Sequence, residues 1–298
     1  MTFLKNPVWE KIGSKYAHTT MAHPCFNEKS HFTVGRIHLP VAPKCNIQCN
    51  YCTRSINKCE FRPGVSACIL SPQEALDRLE KALKETENLK VVGIAGPGES
   101  LANDATFETL KLIDEKYPDL IKCISTNGLM LNEKAGELAE LGVKTVTVTV
   151  NALDEKIAEK VYAWVHLDKE ILKGKEAARK LLDRQWEGIR AAKKADMLVK
   201  INSVLIPEIN LHEIEKIALK GRDYGADLMN LIPLIPLNMF KELRPPTCEE
   251  ISVARSKAEK YLPQFKLCRQ CRADAVGIPG KESDHHKERR FDSEYFHG

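Results

Sequence analysis

The sequence has no apolar run long enough to span a bilayer; the longest, Leu228 to Met239, is short and carries Pro233 and Pro236. It has no marked excess of either charge, with 45 basic against 41 acidic residues and a net charge of +4. That balance argues against the basic footprint of a nucleic-acid binder. Met1-Thr2-Phe3-Leu4-Lys5 lacks the apolar core of a secretory signal. No internal repeat is present beyond an alternation of strand and helix patterns. What the chain does have is cysteine, ten residues in 298. Outside a secretory setting, thiols in that number point to metal ligation in a reducing cytoplasm and not to a disulfide scaffold. With 43% apolar residues the chain can bury a large core, and a barrel of this length commonly counts as one domain.

Short Val-, Ile- and Thr-rich runs read as buried parallel strands: Gly35 to Val41, Val91 to Ala95, Ile121 to Thr126, Thr145 to Val150, Val199 to Leu205 and Asp227 to Ile232. Between them lie amphipathic patterns near 72–86, 104–116, 133–141, 178–194, 211–224 and 248–261. Ser71-Pro72 supplies an N-cap followed by proline at the first helical position, and Gly142 and Gly225 stop helices. Six βα units with right-handed crossovers predict an α/β fold, a partial (β/α)6 TIM-like barrel over 35–262; a doubly wound open sheet is the alternative. Irregular extensions, 1–34 and 263–298, are expected to cap the barrel mouth and carry ligands to it, with the stretch from Lys281, including His285-His286 and Arg289-Arg290, weakly packed. Functional groups belong at the carboxyl ends of the strands in either architecture.

Cys45, Cys49 and Cys52 form a C-x3-C-x2-C spacing after the first strand pattern. A cubane four-iron cluster normally takes four thiolates, so three closely spaced ones suggest an iron left open for a substrate or cofactor. A zinc knuckle would instead pair its cysteines with a second pair elsewhere. The spacing resembles the radical S-adenosylmethionine (SAM) superfamily, in which SAM chelates the fourth iron. That resemblance gives Gly96, Gly98 and Glu99 a role: they resemble the segment that contacts the SAM ammonium. Alone they would be an ordinary βα turn. Ser125, Thr126, Asn127, Asn151 and Asn202 fall at or near strand ends, where small polar side chains can bind the SAM carboxylate and ribose; each could equally be a cap.

Cysteines outside the triad decide the reaction. Cys25, Cys59, Cys123 and the pair Cys268 and Cys271, with His23, are enough to give three ligands to each of two more clusters. The plain alternatives are a zinc half-site at Cys268 and Cys271, a buried strand thiol at Cys123 and a structural histidine at His23. His18 and His38 are possible substitutes for His23. Cys68 and Cys248 have no motif around them and read as packed thiols.

Taken together, these motifs resemble the NifB family, the radical SAM maturases of nitrogenase cofactor assembly. The matching runs are His23-Pro24-Cys25, Gly35 to Pro43, Cys45 to Cys52, Arg62-Pro63-Gly64-Val65, Ala95 to Gly98, Ser125 to Leu129, Thr145 to Ala152 and Cys268 to Ala275. They cover most of the chain, from about residue 15 to 280. Cys59-Glu60-Phe61 departs from the Asn-Glu-Ser found before Arg-Pro-Gly-Val in many bacterial members, which leaves the role of Glu60 open. The chain ends soon after the C-x2-C pair, so a separate carrier is expected to take the product. The resemblance implies fusion of two 4Fe–4S clusters into an eight-iron, carbide-centred cofactor precursor. One SAM donates a methyl group, and a second yields the 5′-deoxyadenosyl radical that takes hydrogen from it. In this reading Cys45, Cys49, Cys52 and Cys123 are catalytic. The expected partners are a cluster-donor scaffold, a cofactor carrier and a ferredoxin-like electron donor, with a monomeric enzyme. Two other classes compete: a radical SAM enzyme with auxiliary electron-transfer clusters that modifies a peptide or small molecule, and a non-catalytic iron–sulfur carrier.

Overall fold

The computed structural model describes residues 17–281. Residues 1–16 and 282–298, with His285, His286, Arg289 and Arg290, lie outside the described residues, as does the side chain of His18. The N-terminal extension forms α1 (Ala17–Ala22) and α2 (Glu28–His31) and leads into β1 (Gly35–His38). A long connection follows, with three short strands, β2 (Ile47–Cys49), β3 (Ser55–Ile56) and β4 (Val65–Ser66), before α3 (Pro72–Glu85). Then come β5 (Leu89–Ile94), α4 (Asp104–Lys116), β6 (Ile121–Thr126), α5 (Leu131–Glu140) and β7 (Val143–Thr149). The next crossover contains α6 (Glu155–Val161), a hairpin of β8 (Tyr162–Leu167) and β9 (Glu170–Leu172), and α7 (Gly174–Lys194). β10 (Leu198–Leu205), α8 (Ile214–Asp223), β11 (Leu228–Pro233), α9 (Cys248–Ala258) and β12 (Val276–Gly277) complete the chain.

The main sheet runs β11-β10-β7-β6-β5-β1-β12. Its first six members pair in parallel, and each lies beside its predecessor in the chain. A doubly wound sheet needs a point where strand order reverses. None occurs here, so the partial barrel holds and the open-sheet alternative fails.

Strand alternation sorts side chains between two faces. Ile37, Val92, Ile94, Ile124, Val146, Val148, Val199 and Ile201 join the helices in one core. Residues of the other parity face the concave interior, in register across the strands. One row reads His38, Gly93, Cys123, Thr145, Leu198, and the next reads Ser125, Thr147, Lys200, Leu228. The fold therefore has a dry outer layer and a polar, thiol-bearing interior.

Helix ends follow their caps. At the start of α3 the Ser71 hydroxyl accepts from Glu74 N, and the Glu74 carboxylate accepts in return from Ser71 N. Pro72 fills the first helical position, and Ala75, Leu76, Leu79 and Ala82 make up the buried stripe. Ser71→Ala is expected to cost about 1 kcal/mol, read as a lower urea midpoint with an unchanged slope. No helix among the described residues is long and apolar enough to cross a membrane.

The extensions cover a barrel opening, but at the amino-terminal ends of β10 and β11. Phe26 and Phe265 pack there against Leu198 and Leu228, the first residues of those strands. The C-terminal extension then runs back along β1, where Arg36 pairs with Gly277 and Ile37 with Val276.

Candidate functional site

The cysteine loop is clamped from two sides at the carboxyl ends of the strands. On one side β2 pairs antiparallel with β8, Ile47 opposite Val165 and Cys49 opposite Tyr162. On the other, the loop after β5 docks through Gly98 N to Ala42 O at 2.7 Å and Glu99 N to Lys44 O at 2.8 Å. Gln48 closes the loop on itself, its Nε2 donating to both Cys49 O and Cys52 O at 2.9 Å. Arg54 holds Gln48 Oε1 at 3.0 Å and hydrogen-bonds Cys52.

Cys45, Cys49 and Cys52 are free thiols close enough to influence one another's ionisation. Burial pushes Cys45 up to about 11, with the Glu99 carboxylate adding to the shift. Cys49 is also driven well above its ordinary value, first by burial and then by its two neighbours. Cations from an iron cluster would relieve that stress, and each thiolate formed would release a proton. A hydrogen bond from Tyr51 opposes the shift at Cys49, and Asn151 Nδ2 fixes the phenol oxygen at 2.9 Å. Three thiols with no fourth on the loop fit a cluster with one open iron.

The residues expected to bind SAM converge on Glu99. Its carboxylate is buried and accepts from Thr126 Oγ1 at 2.5 Å, Asn127 N at 2.6 Å and Leu101 N at 3.1 Å. Burial raises its pKa, and those three donors act against the rise. Asn127 Nδ2 reaches Asn46 Oδ1 at 2.7 Å, tying this network to the cysteine loop. Gly96 has φ +116, a conformation open to glycine. Ser125 lies on the concave row, half-buried. Asn151 is spent elsewhere: besides Tyr51 it accepts from Val204 N at 2.8 Å, so its side chain braces β7 to β10. Asn202 Oδ1 accepts from Asn230 Nδ2 at 3.1 Å.

Of the other candidate ligands, Cys25 lies on the N-terminal extension, Cys59 between β3 and β4, Cys123 on β6, and Cys268 and Cys271 on the C-terminal extension. Cys25 lies within electrostatic reach of both Cys123 and Cys271; burial is the largest influence on Cys25 and pushes it up to about 12. Burial also raises Cys123. Cys271 Sγ accepts from Arg36 Nη2 at 3.2 Å. Cys59 is exposed, on a loop that Arg272 secures through Asn57 O at 2.8 Å and through Glu60 O. Cys268 is half-buried beside Phe26 and Phe265, with Arg255 nearby. Cys68 and Cys248 are exposed, not packed. Glu60 has a local task, accepting from Asn57 Nδ2 at 2.6 Å and pairing with Arg62 at 2.5 Å. Among the described residues no three His, Cys, Asp or Glu side chains gather tightly enough to grip one metal ion. A four-iron cluster spreads its ligands more widely.

The histidines differ in which nitrogen is free. Cys25 N–H donates to His23 Nδ1 at 3.1 Å, so that nitrogen is an acceptor and the neutral ring carries its proton on Nε2. His38 is the reverse. Its Nδ1 lies 3.0 Å from Arg272 O, which can only accept, so Nε2 keeps its lone pair. Metal-bound histidines usually have that arrangement. Burial is the first cause that holds both rings neutral, His38 at about 4. Gly93 separates His38 from Cys123 on their row, and a Cβ there would meet His38 Cδ2 at 3.2 Å. Sequence gave no means of ranking the two, because the deciding carbonyl lies 234 residues from His38.

Residues 39–220 match the radical SAM superfamily. The chain is 57% identical over 267 residues to the FeMo cofactor biosynthesis protein NifB of Methanocaldococcus infernus, covering 89% of this chain and 88% of that protein. It is 54% identical over 285 residues to the protein of the same name from Methanocaldococcus jannaschii, covering 95% and 92%. A third, from Chlorobaculum tepidum, is 45% identical over 263 residues, covering 87% of this chain and 62% of that longer protein. The chain therefore belongs to the radical SAM superfamily and, within it, to the NifB family.

Proposed function

We propose that this chain is a radical SAM enzyme of FeMo cofactor biosynthesis, and that it fuses two 4Fe–4S clusters into an eight-iron, carbide-centred precursor. The observation that carries the finer reading is a second set of thiols separate from the triad: Cys25 and Cys271 lie within electrostatic reach of each other, as do Cys25 and Cys123, the last on a concave row of the barrel. A cluster held by Cys45, Cys49 and Cys52, with SAM on its open iron, would supply reductive cleavage of SAM to a 5′-deoxyadenosyl radical. Glu99, held by Thr126 and Asn127, orients the SAM ammonium. Gly96 and Gly98 let the backbone approach closely, and Ser125 and Asn202 line the floor. Tyr51 steadies Cys49, and the β8–β9 hairpin keeps the loop in place.

The precursor clusters are substrates. His38, Cys25 and Cys123 hold one, and Cys59, Cys268 and Cys271 hold the other, with Arg272 tying the Cys59 loop to the Cys271 segment. His38 takes the ligand role in place of His23 because only its Nε2 lone pair is free. A neutral imidazole is a weaker donor than thiolate, which suits a ligand that must let go when two clusters join. With both groups bound, a methyl group from one SAM would pass to a cluster sulfide with release of S-adenosylhomocysteine, and one electron from an external donor such as a ferredoxin would convert a second SAM to methionine and, with hydrogen taken from that methyl, 5′-deoxyadenosine. A cytoplasmic enzyme would receive clusters from a scaffold and pass its product to a carrier.

Protein loaded with iron and sulfide, then given methyl-deuterated SAM and dithionite, tests this. The expected products are S-adenosylhomocysteine and deuterium-bearing 5′-deoxyadenosine, with a product that activates apo-nitrogenase. Unlabelled 5′-deoxyadenosine under turnover would sink the carbide reading and favour modification of a peptide or small molecule. His38→Ala is expected to lose about one cluster's iron, roughly four atoms per chain, while His23→Ala keeps it. The opposite pattern would return the ligand role to His23. Cys268→Ala with Cys271→Ala is expected to lose a similar amount with the triad signal intact.

A further inference from the structure

Lys200 sits on the concave row beside Thr147, one row from Cys123, and is 6% exposed. Its ammonium lies 3.2 Å from Cys25 O and over the rings of Phe26 and Phe265, at 4.8 and 5.6 Å from their centroids. No carboxylate among the described residues pairs with it. Two other lysines of the sheet and its helices show what this fold does otherwise. Lys122, fully buried, meets Asp114 at 2.6 Å, and Lys193 meets Asp227 at 2.6 Å. Arg36, 7% exposed, also has no carboxylate partner among the described residues; it donates to Gly277 O at 2.6 Å and Cys271 Sγ at 3.2 Å, and its Nε has no partner among them.

Two cations withdrawn from water without anions are costly to fold around. One carbonyl and two ring faces offset only part of that at Lys200. Lys200 lies within electrostatic reach of Cys25 and Cys123, and Arg36 within reach of Cys25, and a thiolate-ligated iron–sulfur cluster is an anion. We infer that Lys200, with Arg36, is the fixed countercharge of the auxiliary cluster bound by Cys25, Cys123 and His38, retaining that substrate and setting its reduction potential. This rests on the auxiliary-cluster reading above. A countercharge suits a cluster that must later leave its ligands, because it attracts the whole anion without forming a bond that has to break. It also favours the reduced cluster, since each added electron enters a positive field.

The test uses the full chain reconstituted with iron and sulfide, as Lys200→Met and Lys200→Arg. Iron per chain is measured together with a redox titration by electron paramagnetic resonance; the triad cluster is recognised by its response to SAM. Lys200→Met is expected to move the one-electron equilibrium of the auxiliary cluster about tenfold toward the oxidised form, 59 mV, or to lose that cluster's iron while the triad signal stays. Lys200→Arg restores both. Unchanged occupancy and potential in Lys200→Met would overturn the inference. Equal loss of triad and auxiliary signals in both variants would also overturn it, since that marks a packing role. Wild-type protein with only the triad's iron would overturn the auxiliary-cluster reading itself, and this inference with it.

Discussion

Alanine at Cys45, Cys49 or Cys52 is expected to bring 5′-deoxyadenosine and S-adenosylhomocysteine to background while most auxiliary iron remains bound. Each substitution leaves two thiolates where the cluster needs three, and no other cysteine belongs to the loop. The loop itself should survive. Its shape comes from backbone and amide contacts: Cys52 N to Cys49 O at 3.0 Å, the two bonds from Gln48, the pairing of β2 with β8, and the docking of Gly98 and Glu99. None of these uses a thiol. The auxiliary thiols are carried by other segments, β6, the loop between β3 and β4 and the two extensions, so their iron should persist. Iron analysis with product chromatography separates the outcomes. Any variant that still cleaves SAM would remove its cysteine from the triad, and parallel loss of all iron would mean the three sites are not independent.

How much could be read beforehand depended on the range of the interactions. Buried parallel strands announce themselves locally, and Ile121–Thr126 and Asp104–Lys116 fall where their patterns place them. The hairpin of β8 and β9 did not announce itself. Its two-residue turn puts Asp168 and Lys169 at φ 51 and 68, positions where Asn-Gly would have been a clear signal. That hairpin pairs with β2 and so holds the cysteine loop. Asn151 shows a second limit. A strand-end asparagine suits a ligand or a brace equally well, and only its bonds to Tyr51 and Val204 show where it is spent. The extensions could be read as ligand carriers from their cysteines. Which opening they cover depended on Phe26 and Phe265 meeting Leu198 and Leu228, contacts that no local pattern encodes.

Gly98→Ala is expected to be the most damaging small substitution near the site. A Cβ at Gly98 would stand 2.3 Å from Lys44 O, 2.7 Å from Lys44 C and 2.8 Å from Pro43 O. All three are backbone atoms of the cysteine loop, so no side chain can swing aside. Relief requires the two loops to part by roughly 1 Å to reach van der Waals separation. That movement strains Gly98 N to Ala42 O, Glu99 N to Lys44 O and the two bonds between Asn103 and Lys44. Overpacking and weakened hydrogen bonds together should cost about 2–4 kcal/mol. The functional loss should exceed the loss of stability, because the parting loops carry Glu99 on one side and Cys45 on the other. Gly136→Ala is the control: it lies within α5 with nothing inside 4 Å of the added carbon. Alanine there should be neutral or stabilise by about 0.5–1 kcal/mol. Urea unfolding of both variants, with the rate of 5′-deoxyadenosine formation after cluster loading, checks the contrast. The expectation is a lower midpoint and under a tenth of the rate for Gly98→Ala, with neither change for Gly136→Ala. Wild-type cleavage by a folded Gly98→Ala protein would mean that the contact between these loops does not position the cofactor.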